Sequence, residues 1–187
     1  MKDNLIHLLY IGIFLSFSLP AICEVSAQAS DTEEYMDYRY AVTLYTERMY
    51  GMAVKEFARF IDAYPSSSDY LSAQYYLAGS YFYLKQFPKT IEITQFVLKE
   101  HPSLPNLDKI LFLEGKAHFS LGEYREAIAV FEQMLKGFAA SDLAPEALYT
   151  IGESQYALKE YKAAADACLK AATGYPASAV ADWAWYR

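Results

Sequence analysis

The chain has 187 residues, of which 54% are hydrophobic and 21% charged. This composition is too apolar for a disordered segment. Sixteen Lys and Arg stand against 23 Asp and Glu, giving a net charge of −7 with no basic cluster. A surface that tracks nucleic-acid phosphates is therefore excluded.

At the start of the chain, Lys2 precedes an apolar run from Leu5 to Leu19, broken by Pro20 and followed by small residues. The run falls short of the roughly 20 residues of a membrane-spanning helix and reads as a secretory signal. Small residues at Val25-Ser26-Ala27 and Ala27-Gln28-Ala29 suit a signal peptidase, so residues 1–29 are expected to be cleaved. An uncleaved anchor is the other reading. Export across the inner membrane to the periplasm or cell envelope is the expected localisation. Cys23 raises lipid attachment, but Ile22 stands where a small residue is wanted, and membrane association requires a lipidated Cys23. Cleavage at Ala27 or Ala29 leaves Cys168 as a lone thiol, expected to be buried as a small hydrophobe.

From residue 31 onward the chain repeats every 37 residues. Ala53, Thr90, Ala127 and Ala164 keep this spacing, as do Tyr50, Phe87, Tyr124 and Tyr161, and the small residues Ala41, Ala78, Gly115 and Gly152. Such a period marks a solenoid whose units share one core and present an extended binding surface. Each unit reads as two amphipathic helices around a tight turn. The first pair covers Glu34 to Met49 and Tyr50 to Tyr64, the second Tyr70 to Leu84 and Phe87 to Glu100. The third covers Ile110 to Leu121 and Tyr124 to Lys136, the fourth Tyr149 to Leu158 and Tyr161 to Thr173. In the third unit Ala127, Ile128, Phe131, Met134 and Leu135 form a helical stripe, and Ala127 marks a close helix approach. Connectors carry Pro65, Pro102 and Pro176, with Ala139 in the third, and Asn106 and Asp142 are expected as helix caps. Glu33 and Glu34 read as favourable charge at a helix start. Val180 to Arg187 begins a fifth unit, and further repeats or a capping helix are expected to follow in a longer protein. If none covers them, Trp183, Trp185 and Tyr186 form an exposed end.

These features resemble the tetratricopeptide repeat (TPR) family. Leu77-Ala78 and Ile151-Gly152 match its first-helix signature, and Tyr124-Arg125-Glu126-Ala127 and Tyr161-Lys162-Ala163-Ala164 match its second-helix entry. The resemblance covers Glu34 to Arg187 and implies an all-α, right-handed superhelical solenoid of antiparallel helix pairs, four units plus the start of a fifth over 31–187. The Tyr-Pro-x-Ser connectors look like the envelope branch, with the Tol-Pal coordinator and the YfiO-type outer-membrane assembly proteins as examples. His101 to Asp108 looks like a connector of the second, which lacks its lipid box here.

Two aromatic ladders define the candidate partner groove. Tyr38, Tyr75, Phe112 and Tyr149 are 37 apart, in a column that continues at Tyr186, and Tyr45, Phe82, Phe119 and Tyr156 keep the same spacing. Their seven-residue offset places both on one face of the first helix. Either they anchor a bound segment, or they pack against the preceding unit's second helix. Glu114, His118 and Gln155 occupy columns where other units place Leu or Tyr, and either bond locally or face the groove. No catalytic motif, cofactor site or metal site is read, since Glu114 and His118 supply two ligands where three or four are usual. The expected function is a non-enzymatic protein–protein interaction scaffold taking a protein or peptide partner. A membrane-tethered YfiO-type assembly subunit is the alternative, and oligomeric state is left open.

Overall fold

The computed structural model describes residues 19–102 and 107–187, with side chains from Thr32 onward. Residues 1–18 of the expected signal segment, and the expected cap Asn106, lie outside the described residues. Among the described residues the fold is all-helical. The helices are α1 (Leu19–Thr46), α2 (Tyr50–Ala63), α3 (Tyr70–Tyr83), α4 (Phe87–Glu100), α5 (Leu107–Leu121), α6 (Tyr124–Gly137), α7 (Ala144–Ala157), α8 (Tyr161–Gly174) and α9 (Ala181–Tyr186). They form a TPR-like solenoid of hairpins α1/α2, α3/α4, α5/α6 and α7/α8, with α9 starting a fifth. Among the described residues, no helix is long and apolar enough to cross a membrane.

Every hairpin turns on the same backbone device. Arg48, Lys85, Gly122 and Lys159, 37 apart, have φ values of 62°, 59°, 78° and 66°. The following amide then reaches back to the carbonyl five residues earlier: Met49 to Leu44, Gln86 to Tyr81, Glu123 to His118 and Glu160 to Gln155. This is a Schellman closure, which satisfies carbonyls that the helix end would leave bare. A ring pair then spans each turn edge-to-face. The centroid separations are 5.5 Å for Tyr45–Tyr50, 5.4 Å for Phe82–Phe87, 5.7 Å for Phe119–Tyr124 and 5.4 Å for Tyr156–Tyr161.

The small-residue columns form the contact between paired helices. Ala53, Thr90 and Ala127 are fully buried. Thr90 fits an otherwise Ala column because its hydroxyl donates to the Ala78 carbonyl at 3.2 Å. A Cβ on Gly115 would lie 2.7 Å from the Phe131 ring, so this close approach requires glycine. Cys168 is buried against Ala171, Ala172 and Ala184, as expected of a small hydrophobe.

Several boundaries differ from the sequence reading. α1 begins well before Glu34, because Leu19–Ala29 contains no helix breaker beyond Pro20, which the first turn tolerates. Glu33 and Glu34 therefore lie within a helix rather than at its start, and the charge–dipole role assigned to them does not hold. α7 begins five residues before Tyr149, with Pro145 in its first turn. Asp142 is not the cap expected of it. Ser141 accepts from the Leu143 amide at 3.2 Å, as Ser67 accepts from the Asp69 amide at 3.0 Å. The serine two residues before that amide makes the turn because its short side chain reaches it.

Each helix packs on its chain neighbours, and successive first helices α1, α3, α5 and α7 also touch one another. Shorter spacing between first helices puts them on the inner side of the curve. Arg59–Asp37 at 2.9 Å closes the first unit, and Lys116–Glu146 at 3.1 Å and Arg125–Glu160 at 3.3 Å tie the third unit to the fourth.

Candidate partner-binding groove

The first ladder lies along the inner face, one ring per unit. Tyr38 packs on Phe57 and Phe60, with centroids at 6.5 and 5.4 Å, and Phe112 packs on Phe131 at 5.7 Å. Tyr75 rests against the Val97, Leu107 and Ile110 cluster, and Tyr149 against the Cys168 cluster. All four are half-buried. The second ladder supplies the first-helix rings of the turn-spanning pairs: Tyr45, Phe82 and Phe119 are half-buried, and Tyr156 is 50% exposed. Most ladder rings thus meet their own unit's second helix, not the preceding unit's. The reason is geometric: a side chain on the inner face of a first helix is nearest to the helix its own turn folds back. No ladder ring is fully covered.

Successive first helices leave clefts where they meet. A cleft of about 380 Å³ is lined by Tyr38 of α1, by Leu71, Ser72, Tyr75 and Tyr76 of α3, and by Leu107, Lys109 and Ile110 of α5. Its floor is apolar, its rim carries phenol and serine hydroxyls, and Lys109 is its one charged lining residue. Burial raises the pKa of the Tyr38 and Tyr75 phenols, so both remain neutral hydrogen-bonding groups at physiological pH. A second cleft of about 210 Å³ holds Phe119 and Tyr149 beside Lys116, Glu146 and Glu153. The fold therefore brings Tyr38 to Tyr75 and Phe119 to Tyr149. Phe82 and Phe112 line neither cleft, and Tyr45 turns inward, its hydroxyl directly over Gly79.

The sequence reading missed Ser72, Lys109 and Glu146 as groove residues. They share one column, 37 apart and three residues before the first ladder. The available signal was their change of chemistry from unit to unit, which a packing column does not tolerate.

Of the irregular polar residues, Glu114 and His118 bond locally rather than facing the groove. Glu114, 4% exposed, accepts from Gln95 Nε2 of α4 at 3.1 Å, while its Oε2 has no partner. His118 Nδ1 lies 2.6 Å from Glu123 Oε2 at the turn, and its Nε2 lies 3.8 Å from Glu114 Oε1. Burial holds the Glu114 carboxyl above its ordinary value, against the lowering effect of Gln95 and His118. Gln155 is half-buried with its Oε1 unpartnered.

Residues 112–179 match the tetratricopeptide repeat family. No curated protein matches the chain. Among solved structures, the nearly identical TPR-like repeats of a kinesin light chain from Podosopora anserina align at a TM-score of 0.63 with 14% identity, covering 76% of this chain and 74% of that one. A MamA RS-1 double mutant aligns at 0.65 with 15% identity, covering 76% and 75%. A Rap protein complexed with Competence and Sporulation Factor aligns at 0.61 with 15% identity over 81% of this chain, which spans 46% of that protein's length. These likenesses establish the TPR-like fold, and the family match covers the third and fourth units.

Proposed function

We propose that the protein is a non-enzymatic interaction scaffold of the bacterial cell envelope that holds a protein or peptide segment along its inner face. The observation that carries this reading is the Tyr38–Tyr75 cleft, whose half-buried rings give an apolar floor and a hydroxyl-bearing rim on an inner wall made by three units. Such a surface suits an extended segment with alternating apolar and polar contacts. The similar Rap structure carries a bound factor, which is consistent with groove binding on this fold. Tyr75→Ala should weaken partner capture at least tenfold, the scale of a lost anchor ring. Capture is measured by photo-crosslinking in envelope extracts with a probe at Ser72. A probe at exposed Glu92, on α4, that captures the same partner equally well would overturn the groove assignment.

The export half of the reading rests on the Leu5–Leu19 run and the small residues after it. Mass spectrometry of the mature protein tests it: a start near Gln28 or Ser30 supports a soluble envelope scaffold. A lipid on Cys23 instead supports the tethered YfiO-type subunit.

A further inference from the structure

The junction of the first two units contains a contact that neither packing nor partner binding requires. Tyr50, at the start of α2, and Tyr83, at the end of α3, lie face to face with centroids 4.5 Å apart and planes 11° from parallel. Tyr45 stands edge-on to both, at 5.5 and 6.0 Å, and Tyr76 lies 5.0 Å from Tyr45. With Tyr75 at 5.5 Å from Tyr76, five phenols form one continuous cluster. Tyr83 is 54% exposed, Tyr50 and Tyr45 are half-buried, and the Tyr45 pKa is pushed up by burial and by the surrounding phenols.

The repeat shows that this arrangement is singular. The Tyr50 column continues as Phe87, Tyr124 and Tyr161, and the Tyr83 column runs Thr46, Ser120 and Ala157. At the later junctions the facing pairs are therefore Phe87 with Ser120 and Tyr124 with Ala157. In these two columns, only the first junction sets one phenol against another.

We propose that Tyr50 and Tyr83 are a site of oxidative cross-linking, joined through their ortho carbons into a dityrosine that staples the first unit to the second. The reaction requires a peroxide and a one-electron oxidant such as a haem peroxidase. Each phenol loses one electron and one proton to give a phenoxyl radical. The two radicals couple into one carbon–carbon bond, and rearomatisation returns both hydroxyls. Overall, two phenols and one hydrogen peroxide give one biphenol and two waters. A hole formed on Tyr45 or Tyr76 can pass to the exposed pair through rings in contact, since proton loss to solvent is easiest there. Parallel stacking holds the two rings against each other with centroids 4.5 Å apart, so side-chain rotation brings their ortho carbons together. The product bridges α2 of the first unit to α3 of the second, so the two units can no longer separate at this junction.

Dilute full-length protein treated with horseradish peroxidase and limiting hydrogen peroxide provides the test. The expected product is a monomer lighter by two hydrogen atoms, with dityrosine fluorescence and a cross-linked peptide pair containing Tyr50 and Tyr83. Tyr83→Phe and Tyr50→Phe, which keep the ring and the fold by circular dichroism, should each abolish that product. Tyr161→Phe should leave it unchanged. Cross-linked wild type should melt at a higher temperature than the untreated protein, with no such rise for treated Tyr83→Phe. Cross-links that map to other tyrosines, or that only join separate molecules, overturn the site. A Tyr50–Tyr83 product that leaves the melting temperature unchanged overturns the stapling role.

Discussion

A side chain held at positive φ is strained by its own Cβ, and Arg48, Lys85 and Lys159 all occupy this conformation where the third unit has Gly122. Lys85→Gly should therefore stabilise the protein by up to about 1 kcal/mol, and Gly122→Ala should destabilise it by a similar amount. Denaturant unfolding of the two variants checks both signs. Glu114 is the other residue whose behaviour follows from its surroundings. Burial raises its pKa above the ordinary 4.5, so the folded state prefers the protonated carboxyl. The sign follows from linkage: its favourable contribution is complete below pH 4.5 and is lost as pH rises through the higher folded value. Gln95, His118 and Glu123 are the groups around it, and Glu114→Gln should remove this fall in stability on raising the pH. Melting temperatures of wild type and variant across that range provide the measurement.

At the scale of the element, the hairpin depends on how closely two helices approach. A Cβ on Gly152 would lie 2.6 Å from Cys168 Sγ and 3.2 Å from the Ala164 carbonyl oxygen. Gly152→Ala is expected to cost about 1–3 kcal/mol through overpacking between α7 and α8. Adding Cys168→Ala removes the nearer of the two obstacles and should restore part of that loss. Non-additivity in this double-mutant cycle is the signature of the shared contact. The hairpins were largely legible in the sequence, since Tyr50, Phe87, Tyr124 and Tyr161 each begin a second helix as expected. Helix starts were less so. α5 begins at Leu107 and α7 at Ala144, because apolar residues before the expected starts are buried by neighbouring helices, which local periodicity does not register.

Across the whole molecule, stability divides by unit, since each hairpin rests mainly on its neighbours. Native-state hydrogen exchange should therefore be slowest in α4 to α7 and fastest in α9, the shortest helix, where Trp183, Trp185 and Tyr186 are 65%, 62% and 86% exposed. Uniform protection along the chain would refute this division. The inner face is likewise divided by chemistry. The first cleft has aromatic and hydroxyl walls with Lys109 alone charged, whereas the second places Lys116 against Glu146. A segment bound along the whole groove would meet an apolar stretch first and paired charges after it.

By itself the sequence determined the repeat, the helix pairing, the positions of the turns and the columns of small residues. Each of these is written in spacing along one chain, and helical geometry converts spacing directly into a face. Only the tertiary structure decided what the ladder rings do: Tyr45, Phe82, Phe119 and Tyr156 span their own turns, while Tyr38 and Tyr75 meet across a cleft between units. It also decided that Glu114 finds Gln95, and that Tyr50 stacks on Tyr83. These pairings depend on distances between helices that are set by how side chains interlock, and a period in the sequence carries no information about that separation.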